Sequence, residues 1–200
     1  MPEPKEFKLP HGGTAVVPRP EADQSDIAAE PAAPHPGAPL VPTGDPMLDG
    51  VGPGSYSARS DTPDLTLEGL PRVVPLRVDD DFHVESRDPD PRGMDMVGAD
   101  GESAGKVQDL WVDRSEPLIY YLEVALAGDE SKTVLVPYEF AKIDKRRSEV
   151  VVDAVYSDQF AKTPALQSPD QITRLEEDKI CAFYAGGTLY ADDSRQESIV

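Results

Sequence analysis

The fold is decided by residues 106–126, which read KVQDLWVDRSEPLIYYLEVAL. Two runs rich in valine, leucine and tyrosine, Lys106 to Asp113 and Leu118 to Leu126, flank a short polar segment. Because β-branched and aromatic residues favour strands, these runs predict two consecutive β-strands. Trp111 lies between two strand residues, so we expect its large apolar area to anchor a core or an interface.

Shorter runs on either side predict further strands. They are Val73 to Val78, Thr133 to Pro137 and Glu149 to Val155. Pro75 marks the first as an edge strand or a bulge, because proline donates no hydrogen bond to a ladder. Turn signals lie at residues 127–129 and 144–148. The pattern predicts a mainly β fold, with a small antiparallel barrel or a strongly bent sheet over residues 72–156.

The first 71 residues form a region of different composition, because twelve of the 21 prolines lie within residues 1–53. Proline fixes φ and lacks an N–H, so we expect a long irregular arm, extended or turning and not packed into a sheet. Residues 21–39 have the composition of a flexible linker, whereas Leu40 to Tyr56 could lie on another protein's surface. Plain disorder of residues 1–56 is the alternative.

Residues 157–200 are assigned as a C-terminal helical segment and tail. Ser168, followed by Pro169 and Gln171, has the pattern of an N-cap with a capping box. The pair at residues 186–187, both glycine, predicts the end of this helix. A short helical turn from Ser157 to Lys162 is expected before it.

Charge and cysteine content disfavour several classes of function. Lysine and arginine number 19 against 38 acidic residues, and the net charge of -19 repels nucleic acids. The single cysteine, Cys181, cannot form an internal disulfide, and the three histidines have no metal-ligand spacing. No run approaches the roughly 18 apolar residues of a membrane helix, and no nucleophile–base pair or phosphate-binding loop is present. We therefore predict no catalytic or metal-binding residue.

Acidic side chains concentrate in the segment around Trp111. They are Asp109, Asp113, Glu116 and Glu123. Carboxylates crowded at an interface lose hydration and repel one another, so some pKa values rise and the group can pass protons near neutral pH. Solvated surface charge is the alternative for each of them.

Four motifs resemble, in order, the H subunit of purple-type photosynthetic reaction centres. They are LPHGG at 9–13, PTGDPMLDGVGP at 42–53, GKV with DLWVD within 105–113, and LEEDKI with YAGG within 175–187. The resemblance spans about residues 7–191. The strand region resembles the PRC-barrel named after that subunit, which agrees with the strand pattern.

The resemblance implies a non-enzymatic cytoplasmic cap on the L and M subunits of a type II reaction centre. Such a cap covers the quinone sites and assists electron transfer between quinones and proton uptake to the secondary quinone. The chain alone would bind no cofactor, and the complex would hold bacteriochlorophyll, bacteriopheophytin, quinones and a non-haem iron. It would lie on the cytoplasmic face of the bacterial inner membrane, held there by protein partners, with residues 1–71 contacting them.

The resemblance also suggests residues for proton transfer. Asp113 and Glu116 match family carboxylates near the proton pathway, with Glu116 nearer the quinone. The histidine pair at the proton entrance of some members falls at about Glu68 and Leu70, so Glu68 could act as an acceptor, and Tyr120 replaces an arginine found in some members. Family members usually begin with a transmembrane helix that is absent here, which implies a truncated chain or a separate single-helix anchor. A light-harvesting ring is a further possible partner.

Two other functions compete with this interpretation. A soluble PRC-barrel adaptor, such as one used in ribosome maturation, would account for the barrel but not for the proline-rich arm or the Glu-Glu-Asp-Lys helix. An enzyme with two acid–base carboxylates, of the glycosidase type, would need aromatic platforms and a deep cleft, and the chain is poor in both respects.

Overall fold

The computed structural model describes residues 3–18 and 26–196 of the chain. Within these ranges lie eleven strands and one α-helix, α1 (Arg174–Tyr190). The arm contains β1 (Lys5–Lys8), β2 (Thr14–Val17), β3 (Ala29–Pro31) and β4 (Leu40–Pro42). The strands that follow are β5 (Val73–Pro75), β6 (Asp95–Val97), β7 (Ser103–Asp113), β8 (Ile119–Leu126), β9 (Asp129–Pro137), β10 (Lys142–Asp144) and β11 (Glu149–Val151). None of the described helices has the length and apolar character needed to cross a bilayer.

Seven strands form the central sheet, in the order β10-β11-β6-β7-β8-β9, with β5 paired to β7. The long β7 is shared, since β6 pairs with its first half and β5 with its second half. Register shifts in the β7–β8 and β8–β9 ladders mark bulges, which bend and twist strands. The mainly β prediction is confirmed, but no ladder joins β10 to β9 in the described residues and the sheet is not closed. The pair β11–β6 is parallel, contrary to the all-antiparallel expectation.

Most predicted strands are present with altered ends. The strand predicted from Glu149 to Val155 ends at Val151, because the chain turns away while Val152 and Val155 stay buried in the core. Buried apolar residues therefore continue beyond the hydrogen-bonded part of the strand, and for this reason the predicted end of the strand was too late. The sequence missed β6 and β10, which are three residues long and carry little pattern.

The arm is more ordered than the sequence predicts. β1 pairs with β2 and β3 with β4, so the prediction of an arm outside any sheet was wrong. The first hairpin turns through residues 10–13, where the amide of Leu9 donates to the carbonyl of Gly13 at 3.1 Å. Proline is compatible with such strands because each lies at an edge. Of the predicted linker, residues 21–25 lie outside the described residues and residues 26–39 include β3.

The segment from Leu40 to Tyr56, predicted to suit another protein's surface, packs largely on the chain's own helix. Met47 and Val51 are buried, and a short 3-10 turn at Gly52–Gly54 contacts α1. The arm therefore extends the hydrophobic core that the sheet and α1 share. That core contains Trp111 and a group of aromatic rings in edge-to-face contact, Phe160, Phe183 and Tyr184.

Both predicted ends of the C-terminal helix were wrong. Thr173, not Ser168, is the N-cap: its hydroxyl accepts a hydrogen bond from the amide of Glu176, whose side chain accepts one from the amide of Thr173. Gly186 and Gly187 lie inside the helix, which ends at Tyr190. The predicted helical turn at Ser157–Lys162 is confirmed as a 3-10 helix.

Candidate functional site: a carboxylate cluster between the arm, the sheet and the helix

Asp113 lies at the carboxyl end of β7 and is completely buried. Its Oδ2 is 2.6 Å from both Nε and Nη2 of Arg72, and its Oδ1 accepts hydrogen bonds from the amides of Ser115 and Glu116 at 2.7 and 3.2 Å. Burial raises the pKa of this carboxyl, but Arg72 and the two amides outweigh burial, so the pKa lies below its usual value. Asp113 is therefore a fixed negative charge at neutral pH.

Glu116 lies in the exposed turn between β7 and β8. Its amide donates to Asp113, and its carbonyl accepts a hydrogen bond from the amide of Leu118 at 2.6 Å. These two bonds hold the backbone of the turn while the side chain remains exposed. The structure therefore places Asp113 at the end of β7 and Glu116 in the turn that follows, joined by this hydrogen bond, and both are residues that the family resemblance suggested.

Glu68, the third residue suggested as a proton-transfer group, lies exposed in a turn of the arm. The amide of Gly69 closes this turn by donating to the carbonyl of Thr66 at 3.0 Å. Within residues 3–18 and 26–196, no hydrogen bond or ion pair joins Glu68 to Asp113 or Glu116. The structure does not bring it into contact with the other two.

Glu177, in the first turn of α1, is a half-buried carboxylate that the sequence did not single out. Burial raises its pKa most strongly, and the negative charges of Asp64 and Asp178 raise it further. Arg59 and Arg72 lower it, but the net effect is a pKa of about 7. Glu177 can therefore take up and release a proton near neutral pH.

The hydroxyl of Tyr120, on β8, is close enough to these carboxylates to respond to their charges. Burial raises the pKa of Tyr120, Asp113 raises it next, and Glu116 and Glu177 act in the same direction while Arg72 opposes them. Charges at the end of β7, in the turn after it and on α1 therefore all act on the Tyr120 hydroxyl of β8. We call Asp113, Glu116, Tyr120 and Glu177 the Tyr120 cluster.

Ion pairs from the arm surround the Tyr120 cluster. Arg59 lies 3.0 Å from Asp178 on α1, and Asp64 lies 3.5 Å from both Arg72 and Arg174. Each distance joins a guanidinium nitrogen to a carboxylate oxygen. The arm therefore contributes charges, from Arg59 and Asp64, that modify the pKa of Glu177, which burial raises most strongly.

The other acids near Trp111 belong to a separate network. Nη1 of Arg77 lies 3.1 Å from Asp109 and 2.7 Å from Glu123, and the Trp111 indole N–H donates to the same Glu123 oxygen at 2.8 Å. Trp111 is fully buried, as expected of a core anchor. The sequence grouped Asp109 and Glu123 with the acids of the Tyr120 cluster, but each group has its own arginine.

The described residues offer no arrangement of three or more His, Cys, Asp or Glu side chains that could hold a metal ion. Cys181 is half-buried, with its Sγ 3.8 Å from the hydroxyl of Tyr121, and burial raises the pKa of its thiol to about 11. At neutral pH this thiol is a weak nucleophile. The chemistry that the Tyr120 cluster supports is proton exchange through Glu177.

Two family models match the chain. Residues 1–78 match the photosynthetic reaction centre H-chain N-terminal region, and residues 83–159 match the PRC-barrel domain. The first match contains the arm and β5, and the second contains β6 to β11. The Tyr120 cluster draws on both, because Asp64 and Arg72 lie in the first match and Asp113 and Glu116 in the second.

Proposed function

Since the chain is an H-subunit-like protein, in which the reaction centre H-chain N-terminal region precedes a PRC-barrel domain, we propose that it caps the quinone side of a type II photosynthetic reaction centre. The H chain is a non-catalytic subunit of the reaction centre. In this proposal the chain lies on the L and M subunits at the cytoplasmic face of the bacterial inner membrane and binds no pigment itself. The complex around it holds bacteriochlorophyll, bacteriopheophytin, quinones and a non-haem iron.

Exposed apolar side chains in the arm support contact with partner proteins. They are Phe7, Leu9, Val16, Val17, Ile27, Leu40, Leu48, Tyr56, Leu67 and Leu70. A two-stranded hairpin such as β1–β2 is marginally stable alone, so a partner that covers it would stabilise it. This pattern is typical of a subunit that completes its packing within a larger assembly.

The role in proton uptake rests on one observation, the Glu177 carboxyl with a pKa of about 7 in the same cluster as Glu116. A group with this pKa exchanges protons efficiently at neutral pH. We assign Glu177 as the group that holds the proton and Glu116 as the exposed group that passes it toward the secondary quinone. Asp113 keeps its charge and fixes the turn that carries Glu116.

The test replaces Glu116 with glutamine in the assembled reaction centre. We expect Glu116→Gln to slow proton-coupled reduction of the secondary quinone about tenfold or more, because the amide cannot relay a proton. Flash-induced absorbance changes measure this rate, and the yield of assembled complex should stay the same.

Glu102→Gln is the matched control, because Glu102 is exposed in another loop. The control should leave the kinetics unchanged. Unchanged kinetics in Glu116→Gln as well would remove Glu116 from the pathway.

A soluble PRC-barrel adaptor is a weaker candidate. It accounts for residues 83–159 but not for the match of residues 1–78 to the H-chain N-terminal region. The salt bridges from the arm to α1 also make the arm an integral part of the fold.

A further inference from the structure

A groove lies beside the Tyr120 cluster, between the start of β8, the segment after β9 and α1. Its volume is about 760 Å³. Leu118, Tyr120 and Tyr138 line it, with exposures of 55%, 36% and 38%, and Tyr121 and Cys181 lie at its floor. We call it the Leu118 groove. Three large apolar side chains left open in one concave site are typical of an interaction surface.

The rim of the Leu118 groove is acidic. Glu139, Glu177 and Asp178 line it. Asp178 has a partner, since its carboxylate lies 3.0 Å from Arg59, but neither a salt bridge nor a side-chain hydrogen bond to Glu139 or Glu177 occurs among the described residues. Glu139 therefore leaves a negative charge on the rim without an ion pair among the described residues, and Glu177, whose pKa is about 7, adds a partial negative charge at neutral pH.

The charge effects at the groove floor support this conclusion. Burial raises the pKa of the Cys181 thiol to about 11, and the charged groups that act on it most are Glu139, Glu177 and Asp178, all of which raise it. Burial raises the pKa of the Tyr121 hydroxyl too, and Glu177 and Glu139 add to the rise. A positive charge placed in the groove would thus enter a favourable potential partly shielded from water.

We propose that the Leu118 groove binds an apolar segment of a neighbouring core protein that places a lysine or arginine side chain beside Glu139 and Glu177. The inference rests on the proposed function, which supplies a core protein as neighbour. The apolar residues of the segment cover Leu118, Tyr120 and Tyr138, and its cation pairs with the rim. Charge pairs of this kind set orientation and partner choice, while the buried apolar area supplies most of the affinity.

A protein segment suits this groove better than a lipid does. Anionic head groups would meet the negative rim, and the net charge of -19 repels an anionic membrane surface. A second copy of this chain would bring another acidic surface toward the same rim. A cationic segment matches both the apolar floor and the charge.

The first experiment measures binding of the full chain to a reaction-centre core from which the native H subunit has been removed. We expect Leu118→Arg to weaken binding at least tenfold, because it removes apolar contact and repels a cation. Val78→Arg is the matched control, since Val78 is 42% exposed, lies outside the groove and is not one of the exposed apolar side chains of the arm. The control should bind within about twofold of the unaltered chain.

The outcomes separate this inference from the proposed function. If the unaltered chain does not bind the core, the proposed function fails and the inference falls with it. If the chain binds and both arginine variants bind as tightly as it does, or lose affinity equally, the groove is not the docking site and only the inference is overturned.

The second experiment identifies the occupant through Cys181, the chain's single cysteine. Alkylation of Cys181 by iodoacetamide, followed by peptide mass spectrometry, should slow at least fivefold when the core is bound. The Leu118→Arg variant at saturating core should lose this protection. Protection by phosphatidylglycerol vesicles alone would identify lipid as the occupant, and protection that grows with the chain's own concentration would identify a second copy. Either result overturns the proposal.

Discussion

Arg72 pairs with the buried charge of Asp113, so removal of the Arg72 guanidinium should lower the stability of the fold. We expect Arg72→Met to lower the free energy of unfolding by about 3 kcal/mol, near the lower end for a broken buried pair because Arg72 is itself partly exposed. Urea denaturation at pH 7 measures this difference. The pKa of Asp113 is lowered from its usual 3.8, so the stabilisation is present above that pH and is lost as pH falls through the lower folded value.

Arg92→Met is the control for this prediction, because Arg92 pairs with Asp90 at 2.6 Å in an exposed position. An exposed pair contributes about 0–1 kcal/mol. Equal losses in the two variants would mean that burial of Asp113 does not determine the cost.

The contribution of Glu177 to stability has the opposite pH dependence to that of Asp113. Its pKa is raised from the usual 4.5 to about 7, so its contribution to stability is complete below pH 4.5 and is lost as pH rises through 7. Glu177→Gln stays neutral, and we expect this variant to be more stable than the unaltered chain at pH 8 by roughly 1–3 kcal/mol. The gain should vanish at pH 4. Unfolding curves at the two pH values measure it, and a gain of the same size at both would exclude titration of Glu177 as the cause.

The acids of the Tyr120 cluster differ in whether the sequence alone could identify them. The family motif around Trp111 was enough to suggest Asp113 and Glu116. Glu177 stands in a run of three acids on a helix, and nothing local indicates which one is partly buried. Its pKa depends first on burial and then on the charges of Arg59, Asp64 and Arg72, which lie more than a hundred residues away in sequence.

The start of helix α1 is another feature that the local sequence does not determine. Two capping boxes are possible in the sequence, Ser168 with Gln171 and Thr173 with Glu176, and local pattern alone does not separate them. The structure uses the second, since the Thr173 hydroxyl also donates to Asp61 of the arm at 2.8 Å. Tertiary contact therefore decides where the helix begins.

Thr173→Ala tests this N-cap. We expect a loss of about 1–2 kcal/mol in the free energy of unfolding, because the amide of Glu176 and the carboxylate of Asp61 both lose the hydroxyl. Ser168→Ala should cost less than about 0.5 kcal/mol, since Ser168 lies outside the helix. Thermal or urea unfolding compares the two variants. A larger loss for Ser168→Ala would restore the N-cap predicted from sequence.

The glycine pair in α1 lies inside the helix and serves close packing. A Cβ on Gly187 would lie 2.5 Å from the carbonyl oxygen of Ala154, and one on Gly186 would lie 3.2 Å from Cα of Gly54. A side chain at Gly187 would collide with Ala154 unless the helix moved away, and one at Gly186 would crowd Gly54 of the arm, so the two glycines allow the helix to approach both segments closely. Composition alone does not distinguish a packing glycine from a capping glycine.

At the scale of the molecule, the arm and the strand region share one core. Met47 of the arm belongs to the same buried cluster as Trp111, and Lys162 lies 2.9 Å from Asp45. The order of motifs along the chain predicted the family and the mainly β fold. It could not predict that a proline-rich arm packs on its own helix, because that depends on contacts between residues far apart in sequence.

The shared core predicts that the arm and the strand region unfold together. We expect Met47→Ala to lower the free energy of unfolding by about 2–4 kcal/mol, the usual range for a buried methionine. Trp111 is the chain's single tryptophan and lies in β7, so its fluorescence reports unfolding of the sheet, while far-ultraviolet circular dichroism reports unfolding of α1. Both signals should shift to lower urea by the same amount, as in a two-state transition.

Leu9→Ala is the matched control, because Leu9 lies in the arm but is about half exposed beyond β1. This variant should shift neither signal by more than about 0.5 kcal/mol. If Met47→Ala left the tryptophan transition in place, the arm would be an independent unit. The charges that Arg59 and Asp64 contribute to the Tyr120 cluster would then depend on a segment that opens separately from the sheet. Coincident transitions would instead mean that the fold holds the arm and the cluster together as one body.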